Sequence, residues 1–592
     1  MYRAPVEEIL FTLNHVAGLK PALDSGTFGD LTQDVVEAVL HEAARFASEE
    51  IAPLYKAGDI EGAVLEGSDV RMPQGWKELY ATWAQAGWNG LSAPEEFGGQ
   101  GLPTMLGVAA LEMWNSGSMA FALGPTLTMG AVHALETHAS QPLKDKYLAK
   151  LVSGEWMGTM NLTEPQAGSD LAALRARAEP AGDGTYRIFG QKIYITYGEH
   201  DIAGNIIHLV LARLPGAPAG TRGISLFLVP KFLVNDDGSL GARNDLFCSG
   251  LEHKLGIHGS PTCTMIYGDG FAGNQPKGAI GWLIGEENRG LACMFTMMNN
   301  ARLAVGMQGV GVAEAATQKA IAYANDRRQG KAASYTGEGM APIVHHPDVQ
   351  RMLLTMKALT SVARAITYSC AAATDRANAA ADDKKLHWQE RANLLTPVAK
   401  AFATDVGVEV ASLCIQVHGG MGFIEETGAA ALYRDARIAP IYEGTNGIQA
   451  IDLVMRKLPQ SNGEHVHGYI TELANTVTRL RLSNLDGFGR TAHELDDALD
   501  ALSTATRHLQ GLVAAGRSDE ALAGATAYLR LFALAAGGVY LARGAIVDGA
   551  ADRIALCRFY AENLLGETQA LKESIVDGAE SLLAAGATLV ST

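Results

Sequence analysis

Apolar residues recur at helical spacing over residues 33–57 (QDVVEAVLHEAARFASEEIAPLYKA), which predicts one amphipathic helix there. The same period predicts helices over residues 75–86 and 104–114, with a loop punctuated by Pro94, Gly98, Gly99 and Gly101 between them. From 155 to 285 the texture changes. Short β-branched and aromatic runs at 186–196 (YRIFGQKIYIT), 206–213 (IIHLVLAR) and 224–230 (ISLFLVP) stand between Gly and Pro clusters, predicting an antiparallel β domain. Long helical patterns return at 294–326, 347–374 and 384–417, and with 446–457 they suffice for a four-helix bundle. Residues 458–465 read as a linker, and 466–592 are Ala- and Leu-rich and helical throughout. The fold class is therefore α+β. Its segments are an N-terminal extension (1–34), a helical domain (35–154), a β domain (155–285), a bundle (286–458) and an additional C-terminal helical domain (466–592).

At 592 residues the chain is too long for a single core, as this division requires. A formal charge of −17 disfavours nucleic acid and anionic membrane surfaces, whose phosphates reward Lys and Arg. The first residues carry acids where a secretory leader would be basic. The longest apolar run, 531–542, is too short for a membrane span and reads as a buried helix. A cytoplasmic chain without a membrane span is expected. Six cysteines are scattered with no CxxC or Cys/His ligand spacing, so a reduced compartment and no metal are expected. His345-His346, His418 and Glu425-Glu426 lack a third partner at ligand spacing.

One segment carries candidate chemistry. In Arg434-Asp435-Ala436-Arg437-Ile438-Ala439-Pro440-Ile441-Tyr442-Glu443-Gly444-Thr445-Asn446, a single carboxylate, Glu443, stands between an aromatic ring and a turn. If Asn446 caps the following helix, Gln449 falls where it reaches back, a capping-box variant. A loop held between rigid elements suits a general base, which must be aimed before it is useful. Taken alone, Glu443 fits an exposed loop glutamate equally well.

Three separated segments supply the corroboration. Asn161-Leu162-Thr163-Glu164-Pro165-Gln166-Ala167-Gly168-Ser169-Asp170 resembles the TEPxxGSD signature of the acyl-CoA dehydrogenase family. Gln416-Val417-His418-Gly419-Gly420-Met421-Gly422-Phe423 resembles its QxxGGxG segment, and residues 434–449 resemble RDARI…YEGTxxIQ. The resemblance spans residues 35–458. The segment from 466 resembles the extension of the family's longer branch, which includes very-long-chain, broad-range bacterial and 3-methylthiopropionyl-CoA dehydrogenases.

The resemblance implies an FAD enzyme that oxidises acyl-CoA thioesters to 2-enoyl-CoA, with hydride passing to flavin N5. It assigns Glu443 as the base that takes the α-proton, its own N–H helping to hold the developing enolate. Desolvation by substrate and by Tyr442 should raise the carboxyl pKa against the favourable helix N-terminus. Met160, Leu162, Thr163, Tyr194 and Thr196 match flavin-contacting positions, with Tyr194 where the family more often has tryptophan. Arg327, Gln416, Gly419 and Gly420 match the grip on the FAD pyrophosphate and adenine, contributed across a subunit interface; Thr445 also falls among the FAD contacts. The segment after Arg327 lacks the usual Thr-Phe, and His258 stands where arginine is usual. Ser169, Tyr442 and Gly444 fall to the substrate, as does Arg302, an arginine beside the catalytic loop.

Expected partners are the acyl-CoA, an electron-transfer flavoprotein and a second copy in a homodimer or dimer of dimers. Straight medium- to long-chain fatty acyl groups are the expected substrates, with 3-methylthiopropionyl-CoA the specific alternative. An acyl-CoA oxidase is the rival within the fold. A DNA-binding, stress-protective relative is the rival of another class, and the C-terminal segment shows no basic excess to support it.

Overall fold

The computed structural model describes residues 2–590 apart from 272, 274, 275 and 484; Met1, Ser591 and Thr592, at the ends of the terminal segments, lie outside the described residues. The helices that matter below are α1 (Gln33–Phe46), α2 (Trp76–Gln85), α3 (Thr104–His138), α4 (Gly290–Asp326), α5 (Pro347–Ala379), α6 (Asp382–His418), α7 (Asn446–Asp452) and α8 (Ala525–Asp548). The main sheet has β1 (Trp156–Asn161), β2 (Arg177–Pro180), β3 (Tyr186–Thr196), β4 (Asn205–Arg213), β5 (Ile224–Pro230), β6 (Leu246–Leu251), β7 (Thr262–Tyr267) and β8 (Ala279–Ile284). The chain packs as two units. Unit 1 holds residues 1–45, 108–116 and 302–592; unit 2 holds 46–107 and 117–301.

Unit 2 is built on the sheet. Its strand order is β6-β7-β3-β8-β5-β4-β1, and β2 pairs with both β3 and β4, so the pairings β3-β8-β5-β4-β2 close into a small barrel. β4 and β5 are buried along almost their whole length, which explains their near-continuous apolar runs. The expected antiparallel domain needs one correction. β1 pairs parallel with β4, and β2 touches β4 in parallel as well. Two further strands separate β1 from β4 in the chain, and a crossover of that length permits parallel pairing.

Unit 1 is helical. Two residues join α5 to α6, making a long antiparallel hairpin. α4 approaches α6 so closely that a Cβ on Gly309 would stand 2.1 Å from the Ala403 carbonyl oxygen, and one on Gly306 3.0 Å from that of Ala399. Glycine is required at Gly309 for that approach. α8 is buried through its centre and packs on α5 and α6. The N-terminal extension is anchored by Ile9, Leu13 and Leu19, all fully buried.

Two helix expectations change. Residues 33–57 do not form one helix: α1 ends at Phe46, tight and wide turns follow through Leu54, and a new helix covers Tyr55–Glu61. Pro53 lacks the donor a continuous helix needs. The helix expected at 104–114 continues to His138 as α3, with non-helical backbone at Ser118 and Pro125 inside. Apart from Glu112 and Asn115, its residues 105–132 are apolar or small, and nearly all are buried, so no polar face marks the helix beyond 114. Among the described residues α3 and α8 are long and apolar enough to cross a membrane by length and composition. Their most apolar windows are 89% and 72% buried within the protein, as core helices are.

Candidate active site and its relatives

Within unit 1, Glu443 sits on the turn between residue 436 and α7, with φ +55, a left-handed backbone that a non-glycine residue adopts only under constraint. The constraint is visible. Tyr442 N–H bonds the Ile438 carbonyl (3.2 Å) and Asn446 N–H bonds the Pro440 carbonyl (3.0 Å). The Tyr442 hydroxyl donates to Gln308 Oε1 on α4. Gly444 follows with φ +83, and a Cβ there would stand 2.8 Å from Gln449 Nε2.

The helix cap differs from expectation. Thr445, not Asn446, is the N-cap, and its hydroxyl accepts from Ile448 N–H at 3.2 Å. Gln449 does reach back, but its amide donates to the carbonyls of Glu443 and Gly444, both at 3.3 Å. Asn446 is instead committed to α6: its Nδ2 donates to Asp405 Oδ1 (2.7 Å), Thr404 Oγ1 (3.0 Å) and the Ala401 carbonyl (3.1 Å). A side chain already holding a neighbouring helix has no acceptor to spare for a cap.

Two cations flank the loop. Lys400 on α6 is fully buried and donates to the Gly444 carbonyl and to Asn446 Oδ1, both at 2.9 Å. Arg302 on α4 is buried, with Nη1 3.6 Å from Asp452 Oδ2 on α7. Burial raises the Glu443 carboxyl pKa above the usual carboxylate range, and the charges of Lys400 and Arg302 oppose this without cancelling it. The side chain keeps some solvent-facing surface, yet protein crowds it enough for desolvation to dominate. A poised carboxylate on a rigid loop can take a proton from a weak carbon acid.

Within unit 2, the structure brings Met160, Leu162, Thr163, Tyr194 and Thr196 together where β1 runs beside β3. Thr159 Oγ1 donates to the Thr196 carbonyl (2.6 Å), and Ile193 N–H to the Thr163 carbonyl (3.0 Å). Between Lys192 and Ile195 the β3–β7 register slips, and Tyr194 takes φ +59. That bulge turns the Tyr194 ring out of the sheet, leaving it 59% exposed. Beneath, Lys192 Nζ donates to the Leu162 carbonyl (3.0 Å) and to Glu164 Oε1 (2.8 Å). Ser169 is exposed, one residue before Asp170, whose carboxylate caps the turn Leu171–Ala173. His258 is held by Asp59, its Nδ1 3.1 Å from Asp59 Oδ1.

Arg327, Gln416, Gly419 and Gly420 gather at the other end of unit 1. Arg327 follows α4, and Tyr323 of α4 stacks on His418 of α6 with ring centroids 4.2 Å apart. All four are exposed. Along α6 the sixteen residues from Lys400 to Gln416 rise about 24 Å, so one chain does not bring this group to Glu443. These residues fit a dinucleotide of the expected kind. Gly419 has φ +60, and no atom lies within 4 Å of where a Cβ on Gly419 or Gly420 would stand, an open backbone cradle beside an exposed guanidinium. Among the described residues no group of three or more His, Cys, Asp or Glu could hold a metal ion.

Sequence reasoning missed Lys400, Gln308, the Glu164–Lys192 pair and the bonds that tie Asn446 to α6. A signal for Lys400 existed: it interrupts the apolar run Val398-Ala399-Lys400-Ala401-Phe402-Ala403, where a charge needs buried partners.

Known protein families match most of the chain. The family models described as acyl-CoA dehydrogenase N-terminal, middle and C-terminal domains match residues 33–155, 159–269 and 288–458. A model described as acetyl-CoA dehydrogenase C-terminal like matches 469–585. The chain is 44% identical over 596 aligned residues to the 3-methylmercaptopropionyl-CoA dehydrogenase of Ruegeria pomeroyi, covering 99% of each chain. It is 35% identical to a butyryl-CoA dehydrogenase of Syntrophomonas wolfei, over 84% of this chain and 82% of that one. Among solved structures, Caenorhabditis elegans ACDH-11 in complex with C11-CoA shares the fold at 21% identity and TM-score 0.72, covering 98% of this chain and 96% of that one. The chain belongs to the acyl-CoA dehydrogenase family of FAD-dependent oxidoreductases, with the additional C-terminal helical domain.

Proposed function

We propose that this enzyme removes the α- and β-hydrogens of a short acyl-CoA, with 3-(methylthio)propionyl-CoA as the preferred substrate. The observation that carries the reaction is Glu443: a carboxylate of raised pKa on a loop fixed by Lys400, Asn446, Gln449 and Tyr442. What supports the thioether substrate is the 44% identity, along the whole chain, to a relative of that name. Straight-chain acyl groups are the second reading, favoured by the butyryl-CoA dehydrogenase relative.

In this reading Glu443 takes the α-proton, and its elevated pKa matches the proton affinity the step asks of it. The Glu443 N–H, aimed by the left-handed turn, donates to the thioester oxygen as charge builds there. FAD, when bound, supplies the two-electron acceptor for the β-hydrogen. Met160, Leu162, Thr163, Tyr194 and Thr196 hold its ring system, while Arg327, Gln416, Gly419, Gly420 and Thr445 hold the rest. Because the two flavin-gripping ends of unit 1 lie far apart in one chain, a second copy completes the grip, and the protein works as a dimer or dimer of dimers. Ser169, Tyr442, Gly444 and Arg302 face or flank the acyl-CoA. An electron-transfer flavoprotein collects the electrons. The domain limits 35–154, 155–285, 286–458 and 466–592 belong to the same proposal.

Anaerobic bleaching of the yellow holoenzyme against a panel of acyl-CoAs tests it. Bleaching fastest with 3-(methylthio)propionyl-CoA is expected; equal or faster bleaching with butyryl-CoA or longer chains favours the second reading. Glu443→Gln should keep FAD and bleach orders of magnitude more slowly.

A further inference from the structure

The Glu443 turn is held by a cation that neither the motifs nor the family assignment singles out. Lys400 is fully buried among apolar residues of α6, where an ammonium is costly, and both its hydrogen bonds go to the turn: Gly444 O and Asn446 Oδ1, each at 2.9 Å. Asn446 then returns the connection to α6 through Asp405 and Thr404. The result is a closed circuit, Lys400 to Asn446 to Asp405, that clamps one side of the turn. Arg302 is engaged with Asp452 and also feels the charge of Glu443. Arg302 therefore divides its charge between two carboxylates, whereas Lys400 has no direct carboxylate partner among the described residues.

We propose that Lys400 is a positioning residue for the reaction: it fixes the Glu443–Gly444 backbone in its left-handed turn and supplies the buried positive charge that keeps Glu443 ionisable. The inference rests on Glu443 being the base. The groups facing Lys400 are Glu443, Gly444 and Asn446 from the turn and α7, Asp405 from its own helix, and Arg302 from α4. Burial lowers the Lys400 pKa to about 8, with Glu443 and Asp405 opposing and Arg302 adding to the fall. Its charge is thus present through the neutral range. Removing that charge leaves Glu443 with desolvation opposed by Arg302 alone, so its pKa rises and the carboxylate form is lost at higher pH.

The test uses FAD-loaded protein, with flavin content measured first, and anaerobic bleaching by butyryl-CoA from about pH 5 to pH 9. Lys400→Met is expected to bleach about tenfold to a hundredfold more slowly at its optimum. Its acidic limb should move up by about one pH unit. Lys400→Arg should lose rate, because the longer fork cannot reproduce both contacts, while its acidic limb stays in place. Wild-type rate with an unmoved limb in Lys400→Met overturns the proposal. So does a slower rate with an unmoved limb, which scaffold damage alone would produce. If Lys400→Met fails to retain FAD, Lys400→Arg decides: an unmoved limb supports the charge role, and a limb displaced upward refutes it. Glu443→Gln, run alongside, separates the two ideas, since its near-normal bleaching removes the base assignment itself whatever the lysine variants do.

Discussion

Lys192 and Glu164 form an ion pair at 2.8 Å with side chains 0% and 4% exposed, joining the middle of β3 to the loop that follows β1. Glu164 is further held by the N–H groups of Arg175 (2.7 Å) and Ala176 (3.0 Å). Burial pushes the carboxyl up, but the Lys192 charge and these hydrogen bonds outweigh it, so Glu164 is held below the usual range. The pair fixes the Leu162 carbonyl, and with it the peptide leading into Thr163.

Breaking a buried pair by removing one partner costs about 3–5 kcal/mol, because the other charge stays behind. Lys192→Met and Glu164→Gln should each lower the thermal midpoint, and FAD should dissociate more readily from both. The double variant Lys192→Met/Glu164→Leu should recover part of the stability. Calorimetry and equilibrium dialysis of FAD read the two effects separately. Unchanged FAD retention in Lys192→Met would show that the Leu162–Thr163 peptide does not depend on the lysine.

Arg364 of α5 serves unit 1 in a similar way. Its Nε and Nη2 reach Glu112 (2.9 and 2.5 Å), Nη2 also meets Glu314 (2.7 Å), and the Tyr368 hydroxyl donates to Glu112 (2.6 Å). Arg364→Met leaves the fully buried Glu112 uncompensated and should cost about 3–5 kcal/mol in urea unfolding. Adding Glu112→Gln should return a good part of the loss.

His200 predicts the acid behaviour of unit 2. It is 2% exposed, and burial followed by the Lys231 charge lowers its pKa to about 3. The folded state therefore keeps it neutral while the unfolded chain binds a proton below about pH 6.5. The folded pKa is depressed, so stability is lost as pH falls through that window, by about 2 kcal/mol between pH 7 and pH 5. His200→Gln should flatten this part of the profile in denaturant titrations at the two pH values. An equal slope in variant and wild type would contradict the assignment.

Gly444→Ala separates aim from stability. With φ +83 and a Cβ placed 2.8 Å from Gln449 Nε2, the substitution strains the turn by about 1–2 kcal/mol. A protein of this size should tolerate that loss. The rate of flavin bleaching should fall far more, because the turn aims Glu443; a rate reduced only in step with the thermal midpoint would argue that the turn is mere scaffold.

Much of this was legible in the chain. The runs at 186–196 and 224–230 coincide with β3 and β5, because alternating or continuous apolar residues between turn formers leave few other options. Glu443 was visible because its neighbours form a compact motif. The second half of α3 was hidden, since a helix buried on all sides has no polar face to give a period. The cap passed from Asn446 to Thr445 because Asp405 and Lys400, more than forty residues away, claim the asparagine.

By itself, then, the sequence determined most of the segments that become helix or strand and the family, and it singled out Glu443 as the candidate base. Local spacing and turn chemistry act within a few residues and are written in order along the chain. Only tertiary structure decided the parallel pairing of β1 with β4, the Glu164–Lys192 and Arg364–Glu112 pairs, and the seating of Lys400 against the Gly444 carbonyl. Buried charges choose partners by proximity in the folded core, where desolvation makes every unmet bond costly, and separation along the chain carries no record of that choice.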